Sequence, residues 1–167
     1  MKRILIAGIG NIFLGDDAFG VETVRELAKY KQAEGVRVVD FGIRAYDLAY
    51  AIADGYDAVI LVDASPRGQP PGTVYLIEPE LGGLEKTGLL VNGHSLNAVT
   101  VLQMAAAFDA KIGMLYLVGC EPATLECDEG QMGLSASVAA AVPQAVETIQ
   151  SLVGELLAEH ELLVERS

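Results

Sequence analysis

Short apolar runs alternate with amphipathic segments along the chain, and this alternation predicts strands that alternate with helices. The continuous apolar runs at 4–7 and 58–62 are typical of strands buried on both faces of a sheet. Helical spacing is clearest after the first strand, where Val21, Val24 and Leu27 recur on one side. The predicted strands are 4–7, 36–40, 58–63, 73–78 and 112–118, and the predicted helices are 21–29, 45–53, 95–108 and 138–156.

The order of these segments predicts a single-domain α/β three-layer sandwich over residues 1–167, with a mostly parallel five-stranded sheet flanked by helices. The strand at 73–78 follows the third strand so closely that we expect it to run antiparallel or to lie at an edge. The segment 95–108 is apolar nearly all round, which predicts a buried helix. Pro143 predicts a kink in the last helix or a start near that residue, and residues from about 160 to 167 are expected to fray.

Charge and cysteine content limit the functions and the cellular compartment that this chain can have. The chain has 11 Lys and Arg against 23 Asp and Glu, a net charge of −12, which argues against binding to nucleic acid or to an anionic membrane. No apolar run approaches the ~18 residues that a membrane span requires. Cys120 and Cys127 are too few for a disulfide scaffold, so we expect a reduced, cytoplasmic protein.

Several polar side chains follow predicted strands, at the sheet edge where α/β proteins place their functional groups. Asp16 and Asp17 close the loop after the first strand, where one carboxylate can cap the following helix and leave the other for chemistry. Asp63 ends the third strand behind an apolar run, and a carboxylate there needs a cation or donors. His94 precedes a predicted helix, whose dipole favours the neutral imidazole that binds metal. Two carboxylates and this imidazole predict a three-ligand site for Zn²⁺ or Ni²⁺, with Asp40 as a weaker candidate.

The glycines of the first loop invite a second interpretation. Gly8 and Gly10 after a first strand resemble the start of a dinucleotide fingerprint, but Phe13 stands where its third glycine belongs. The loop is also longer than the tight turn that brings a pyrophosphate to a helix N-terminus. Nucleotide binding is therefore the weaker prediction, since positive φ angles or close packing account for both glycines.

Taken together, these motifs resemble the hydrogenase maturation proteases, which trim the large subunit of nickel–iron hydrogenases. The resemblance extends over essentially the whole chain. It is carried, in chain order, by Gly8-Ile9-Gly10-Asn11, Asp16-Asp17, Gly20-Val21, Asp40-Phe41-Gly42, Val62-Asp63-Ala64, Pro71-Gly72-Thr73, His94 and Val118-Gly119-Cys120-Glu121-Pro122. It implies a phosphorylase/hydrolase-like α/β fold and the activity of an endopeptidase classed with the aspartic type.

The resemblance also implies a site and a substrate. The metal-binding triad of the family maps onto Asp17, Asp63 and His94. The same three are our candidate catalytic residues, and the resemblance leaves open whether they also activate the attacking water. The implied partner is the precursor of a nickel–iron hydrogenase large subunit, which carries the nickel and loses a C-terminal extension; Zn²⁺ or Cd²⁺ could occupy the triad in vitro. Several family members have glutamate at the position of Asp17, so the side chain is one methylene shorter here. Asp16 remains an alternative to Asp17 as the working carboxylate. Two rival functions are a metallohydrolase with its own Zn²⁺ and a non-enzymatic nucleotide- or metal-binding module.

Overall fold

A mostly parallel sheet forms the centre of the molecule. The computed structural model describes residues 1–79, 98–108, 110–125, 130 and 132–165 of the chain. Within these ranges the strand order is β2-β1-β3-β5-β4, and β4 alone runs antiparallel, paired with β5 at one edge. The strands are β1 (Ile4–Ile9), β2 (Val36–Gly42), β3 (Ala58–Ala64), β4 (Val74–Ile77) and β5 (Met114–Cys120).

Helices cover both faces of this sheet. Side chains alternate along a strand, so Ile4 and Ile6 of β1 face one helix layer while Leu5 and Ala7 face the other. The first layer consists of α1 and α4, and the second consists of α2 and α3. The helices are a 3-10 turn (Gly15–Ala18), α1 (Phe19–Leu27), α2 (Ala45–Ala53), α3 (Ala98–Ala107) and α4 (Ala136–Glu165).

The three-layer α/β architecture confirms the predicted fold class, and the fourth strand is both antiparallel and at an edge. The predicted buried helix at 95–108 is only partly buried in its described part. Val101 and Ala105 are buried, but the last residues of the helix are exposed and Phe108, which follows it, is 40% exposed. The reason is that one face of α3 packs on the sheet and on α2, the described elements that it contacts. Residues 95–97 lie outside the described residues.

The last helix is longer than its apolar pattern indicates. It includes Pro143 in its interior and ends at Glu165, so Pro143 does not mark its start. A frayed end over 160–167 stays a prediction. Across the described ranges, no helix is both long enough and apolar enough to cross a membrane.

Gly20 lets α1 approach the sheet closely. A Cβ at this position would lie 2.0 Å from the carbonyl oxygen of Val62 and 2.3 Å from that of Ile9. Both distances are far below van der Waals contact, so the first turn of α1 rests directly on the carboxyl ends of β1 and β3. Any larger residue would lift the helix start away from this edge of the sheet.

We therefore expect Gly20→Ala to lower the free energy of unfolding by about 3 kcal/mol, because the backbone of α1 must shift. Gly154, in the exposed part of α4, is a matched control, since a Cβ there would have no neighbour within 4 Å. Gly154→Ala should raise stability by up to about 1 kcal/mol through helix propensity. Urea unfolding of both variants measures the difference, and equal stability of Gly20→Ala and the wild type would contradict the packing.

Candidate functional site

The loop after β1 folds back on itself and fixes Asp17. Gly10 has a φ of 139°, and a Cβ on it would lie 1.8 Å from the backbone oxygen of Asp17. One residue later, the backbone N–H of Asn11 donates to Oδ2 of Asp17 at 2.8 Å. The side chain of Asn11 closes the turn, because its Oδ1 accepts from the N–H of Phe13 at 2.9 Å. Backbone and side chain of Asp17 are thus both held against the end of β1.

This packing explains the glycines without a nucleotide. The space beside Gly10 that a side chain would need is occupied by the backbone of Asp17. Gly8 is equally enclosed, because a Cβ there would lie 2.4 Å from a methyl group of Val24 and 2.6 Å from the oxygen of Gly20. Close packing therefore accounts for both glycines, and at Gly10 the positive φ is a second reason.

The surroundings of Asp17 are such that a nearby cation would stabilise its carboxylate. Its side chain is half-buried. Burial raises the pKa of Asp17 and the hydrogen bond from Asn11 lowers it; burial prevails, so the pKa lies above its ordinary value. A carboxylate that is partly stripped of water becomes more stable when a metal ion approaches.

Asp16 has a different role from its neighbour. It is completely buried, and its carboxylate accepts four hydrogen bonds from segments distant in the chain. Oδ2 accepts from the N–H groups of Ala123 at 2.8 Å and Thr124 at 3.2 Å and from Oγ of Ser135 at 2.9 Å. Oδ1 accepts from the N–H of Ser135 at 2.7 Å. Asp16 therefore joins the 3-10 turn to the end of β5 and to the start of α4.

These donors also control the ionisation of Asp16. Burial alone would raise its pKa, but the N–H groups of Ser135, Ala123 and Thr124 and the Ser135 hydroxyl together lower the pKa below its ordinary value. The expectation that one of the two aspartates caps its own helix is wrong. The residues that precede the 3-10 turn and α1 make no side-chain cap, and the Asp16 carboxylate instead binds the start of α4.

Asp63 lies at the same edge of the sheet as Asp17. It is buried near the carboxyl end of β3, where the register pairs it with Gly119 of β5. The preceding residue, Val62, pairs with Gly8 of β1 and touches the start of α1 at Gly20. The 3-10 turn that carries Asp17 contacts β3 as well. Asp17, on the 3-10 turn after β1, and Asp63, near the end of β3, therefore lie at the same end of the sheet.

The other predicted residues fall into two groups. Asp40 is near the end of β2, but its Oδ2 binds Nε and Nη2 of Arg25, each at 3.0 Å, in a surface ion pair. His94 and Cys127 lie outside the described residues, and the role of His94 stays a prediction. Within the described ranges no three His, Cys, Asp or Glu side chains form a group that could hold a metal ion.

Cys120 fits the prediction of a small buried residue. It ends β5 and is fully buried with a free thiol. Burial raises the pKa of this thiol to about 11, and the charges of Asp16 and Glu121 contribute to the rise. The thiol is therefore protonated at neutral pH, and it is not an activated nucleophile.

Sequence reasoning missed the importance of Glu121, which entered only as part of the motif after the fifth strand. It is 6% exposed and follows β5 directly. The available signal was the one that singled out Asp63, an acidic residue behind an apolar strand at the carboxyl edge of the sheet.

Comparison with known proteins identifies the family. Residues 21–152, which include Asp63 and His94, match the sequence model of the family described as HycI, hydrogenase maturation protease. The chain belongs to the hydrogenase maturation protease family. One curated relative is the hydrogenase expression/formation protein HupD of Rhizobium leguminosarum bv. viciae. It is 34% identical over 151 residues, which cover 87% of this chain and 71% of HupD.

Solved structures of maturation proteases share the fold. The hydrogenase maturating endopeptidase HybD from E. coli superposes with a TM-score of 0.77 at 29% identity, over 92% of this chain and 93% of HybD. The NiFe hydrogenase maturation protease HycI from Thermococcus kodakarensis KOD1 superposes with a TM-score of 0.68 at 25% identity, again over 92% of this chain and 93% of that protein.

Proposed function

We propose that this chain removes a C-terminal extension from the precursor of a nickel–iron hydrogenase large subunit, and that nickel already inserted in the precursor is its recognition signal. Membership of the maturation protease family supports the processing of a hydrogenase. The observation that carries the proposal is the contrast between adjacent carboxylates. Asp16 is saturated by four donors, whereas Asp17 is half-buried with a raised pKa at the edge that also holds Asp63.

Asp17, Asp63 and His94 are proposed to bind the nickel of the substrate and to act in cleavage. Two carboxylate oxygens and an imidazole nitrogen suit a borderline divalent ion and would leave coordination positions for the substrate's own ligands. The same donors would accept Zn²⁺ or Cd²⁺ in vitro. A metal in such a site polarises a nearby carbonyl group and makes a bound water more acidic.

A carboxylate-based reaction also agrees with the chemistry of Cys120. The described thiol at the sheet edge, Cys120, is buried with a pKa of about 11 and stays protonated at neutral pH. We therefore propose an aspartic-type endopeptidase, in which Asp17 or Asp63 accepts the proton of the attacking water. The raised pKa of Asp17 favours this carboxylate as the base.

The partner and the compartment follow from the same proposal. The substrate is a folded precursor protein, and recognition through its nickel makes cleavage conditional on metal insertion. The net charge of −12 disfavours nucleic acid as a partner. With only two cysteines in the chain, we propose that processing takes place in the reducing cytoplasm.

Incubation with precursor purified from nickel-replete cells tests this function. Mass spectrometry should show the loss of a C-terminal peptide from the large subunit, with no other cut. The rival metallohydrolase is tested in parallel, because a resident zinc enzyme retains stoichiometric Zn²⁺ when it is purified without added metal. The proposed protease should instead contain almost no metal after such a purification. In the cleavage assay, a precursor that stays intact would contradict the proposal.

A further inference from the structure

We propose that Glu121 is a positioning residue of this site, which holds the loop between Asp63 and β4 in the conformation that receives the substrate. The proposal rests on the proposed function, because the loop matters for cleavage only if the carboxyl edge of the sheet is the active site. Glu121 follows β5 directly at the carboxyl edge of the sheet. It acts through the loop 65–73, which leaves β3 two residues after Asp63.

Donors from the loop and from β4 converge on the carboxylate of Glu121. Oε2 accepts from the backbone N–H of Arg67 at 2.8 Å and from the hydroxyl of Tyr75 at 2.7 Å. Oε1 accepts from the backbone N–H of Gly68 at 3.1 Å, and the backbone N–H of Gln69 also donates to this carboxylate. A buried carboxylate in this position therefore satisfies successive backbone N–H groups of the loop.

The backbone around Glu121 binds the same loop at its two ends. At the far end, the N–H of Gly72 donates to the oxygen of Glu121 at 2.8 Å, and the N–H of Glu121 donates to Thr73 at 2.8 Å. At the near end, the N–H of Ser65 donates to the oxygen of Cys120 at 2.9 Å. The side chain of Glu121 fills the interval between these backbone bonds.

The ionisation of Glu121 keeps this arrangement in place. Burial raises its pKa, but the Tyr75 hydroxyl and the loop N–H groups lower it more, so the pKa lies below its ordinary value. The pKa of Tyr75 is raised to about 12, first by burial and then by its hydrogen bond to Glu121 and the charge there. At neutral pH the pair is therefore a carboxylate acceptor and a protonated phenol donor.

Tyr75 also connects the carboxylate to the cation of the loop. The guanidinium of Arg67 lies 5.7 Å from the centre of the Tyr75 ring, and its own backbone N–H binds Glu121. Glu121 therefore holds the backbone of Arg67 directly. It also holds the ring of Tyr75, against which the Arg67 side chain packs. Tyr75 pairs with Gly119 of β5, which pairs with Asp63 of β3, so this ordered segment lies next to Asp63 on the side away from β1.

Glu121→Gln is the sharpest test, because the change preserves shape and removes an acceptor. In either orientation of the amide, an NH₂ group faces the N–H of Arg67 or of Gly68 and leaves that donor unpaired. Glu26→Gln is the matched control, since it makes the same change at a residue of α1 that forms a surface ion pair with Lys29. Both variants are measured at a temperature at which unfolding is negligible.

Two readouts decide the outcome. Hydrogen exchange at the amides of Arg67 and Gly68 should be at least about tenfold faster in Glu121→Gln, and KM for the nickel-loaded precursor should rise about tenfold or more. Glu26→Gln should behave like the wild type in both measurements. A purely structural role would lower the folded fraction and leave KM unchanged. Unchanged exchange, or faster exchange with wild-type KM, would overturn the proposal. Wild-type protein that fails to cut the precursor would instead refute the proposed function, and the exchange measurement would still decide whether the carboxylate holds the loop.

Discussion

Replacement of Asp17 by Asn should abolish precursor processing while the protein folds normally. The amide oxygen of Asn can still accept the N–H of Asn11, which binds Oδ2 of Asp17 at 2.8 Å, so the loop keeps its conformation. Burial already disfavours the charged form of Asp17, and a neutral side chain therefore costs little stability, less than about 1 kcal/mol. The substitution should weaken metal binding and proton transfer, because an amide is a weaker metal ligand than a carboxylate and is not a base.

We expect cleavage of nickel-loaded precursor to fall by about 100-fold or more, since even changes in groups behind a metal ligand cost 10- to 100-fold. The measurement is the rate of appearance of the shortened large subunit, with urea unfolding of the same preparation as the stability control. Asp63→Asn should lose activity as well. An Asp17→Asn variant that processes precursor at the wild-type rate would remove Asp17 from the site.

Replacement of Asp16 by Asn should have the opposite signature, a large loss of stability. An amide in place of this carboxylate must turn its NH₂ group toward the donor of Ser135 or toward those of Ala123 and Thr124. The 3-10 turn, the end of β5 and the start of α4 would then lose their common acceptor. We expect the free energy of unfolding to fall by about 3 kcal/mol, since several buried donors are affected.

Chemical denaturation of the two adjacent variants measures this contrast, with Asp40→Asn as a surface control whose ion pair is worth less than about 1 kcal/mol. If Asp16→Asn were as stable as Asp17→Asn, the assignment of Asp16 to a structural role would be wrong. An Asp16→Asn variant that kept full stability but could not cut precursor would make Asp16 the working carboxylate.

The positions of the strands along the chain could be predicted because their signal is local. The apolar run of β3 reads as a doubly buried strand, and its short connection to β4 already suggested an antiparallel or edge position. The exposed end of α3 could not be predicted from composition alone. An alanine-rich helix has the same pattern whether one of its faces or all of them are covered, and only the position of α2 decides.

The different roles of Asp16 and Asp17 could not be predicted from the sequence for another reason. The donors that saturate Asp16 belong to Ala123, Thr124 and Ser135, more than 100 residues away along the chain. The local pattern at a helix start indicated a helix cap, but the Asp16 carboxylate accepts hydrogen bonds from these distant residues instead. The role of Glu121 was hidden in the same way, because Arg67 and Gly68 reach it only when β4 pairs with β5.

The dependence of cleavage on nickel tests the central claim most directly. Precursor of the large subunit is prepared in two forms, loaded with nickel and free of nickel, and each is incubated with the purified chain. We predict that mass spectrometry detects the loss of the C-terminal peptide from the loaded form alone. Processing of both forms at the same rate would contradict recognition through nickel.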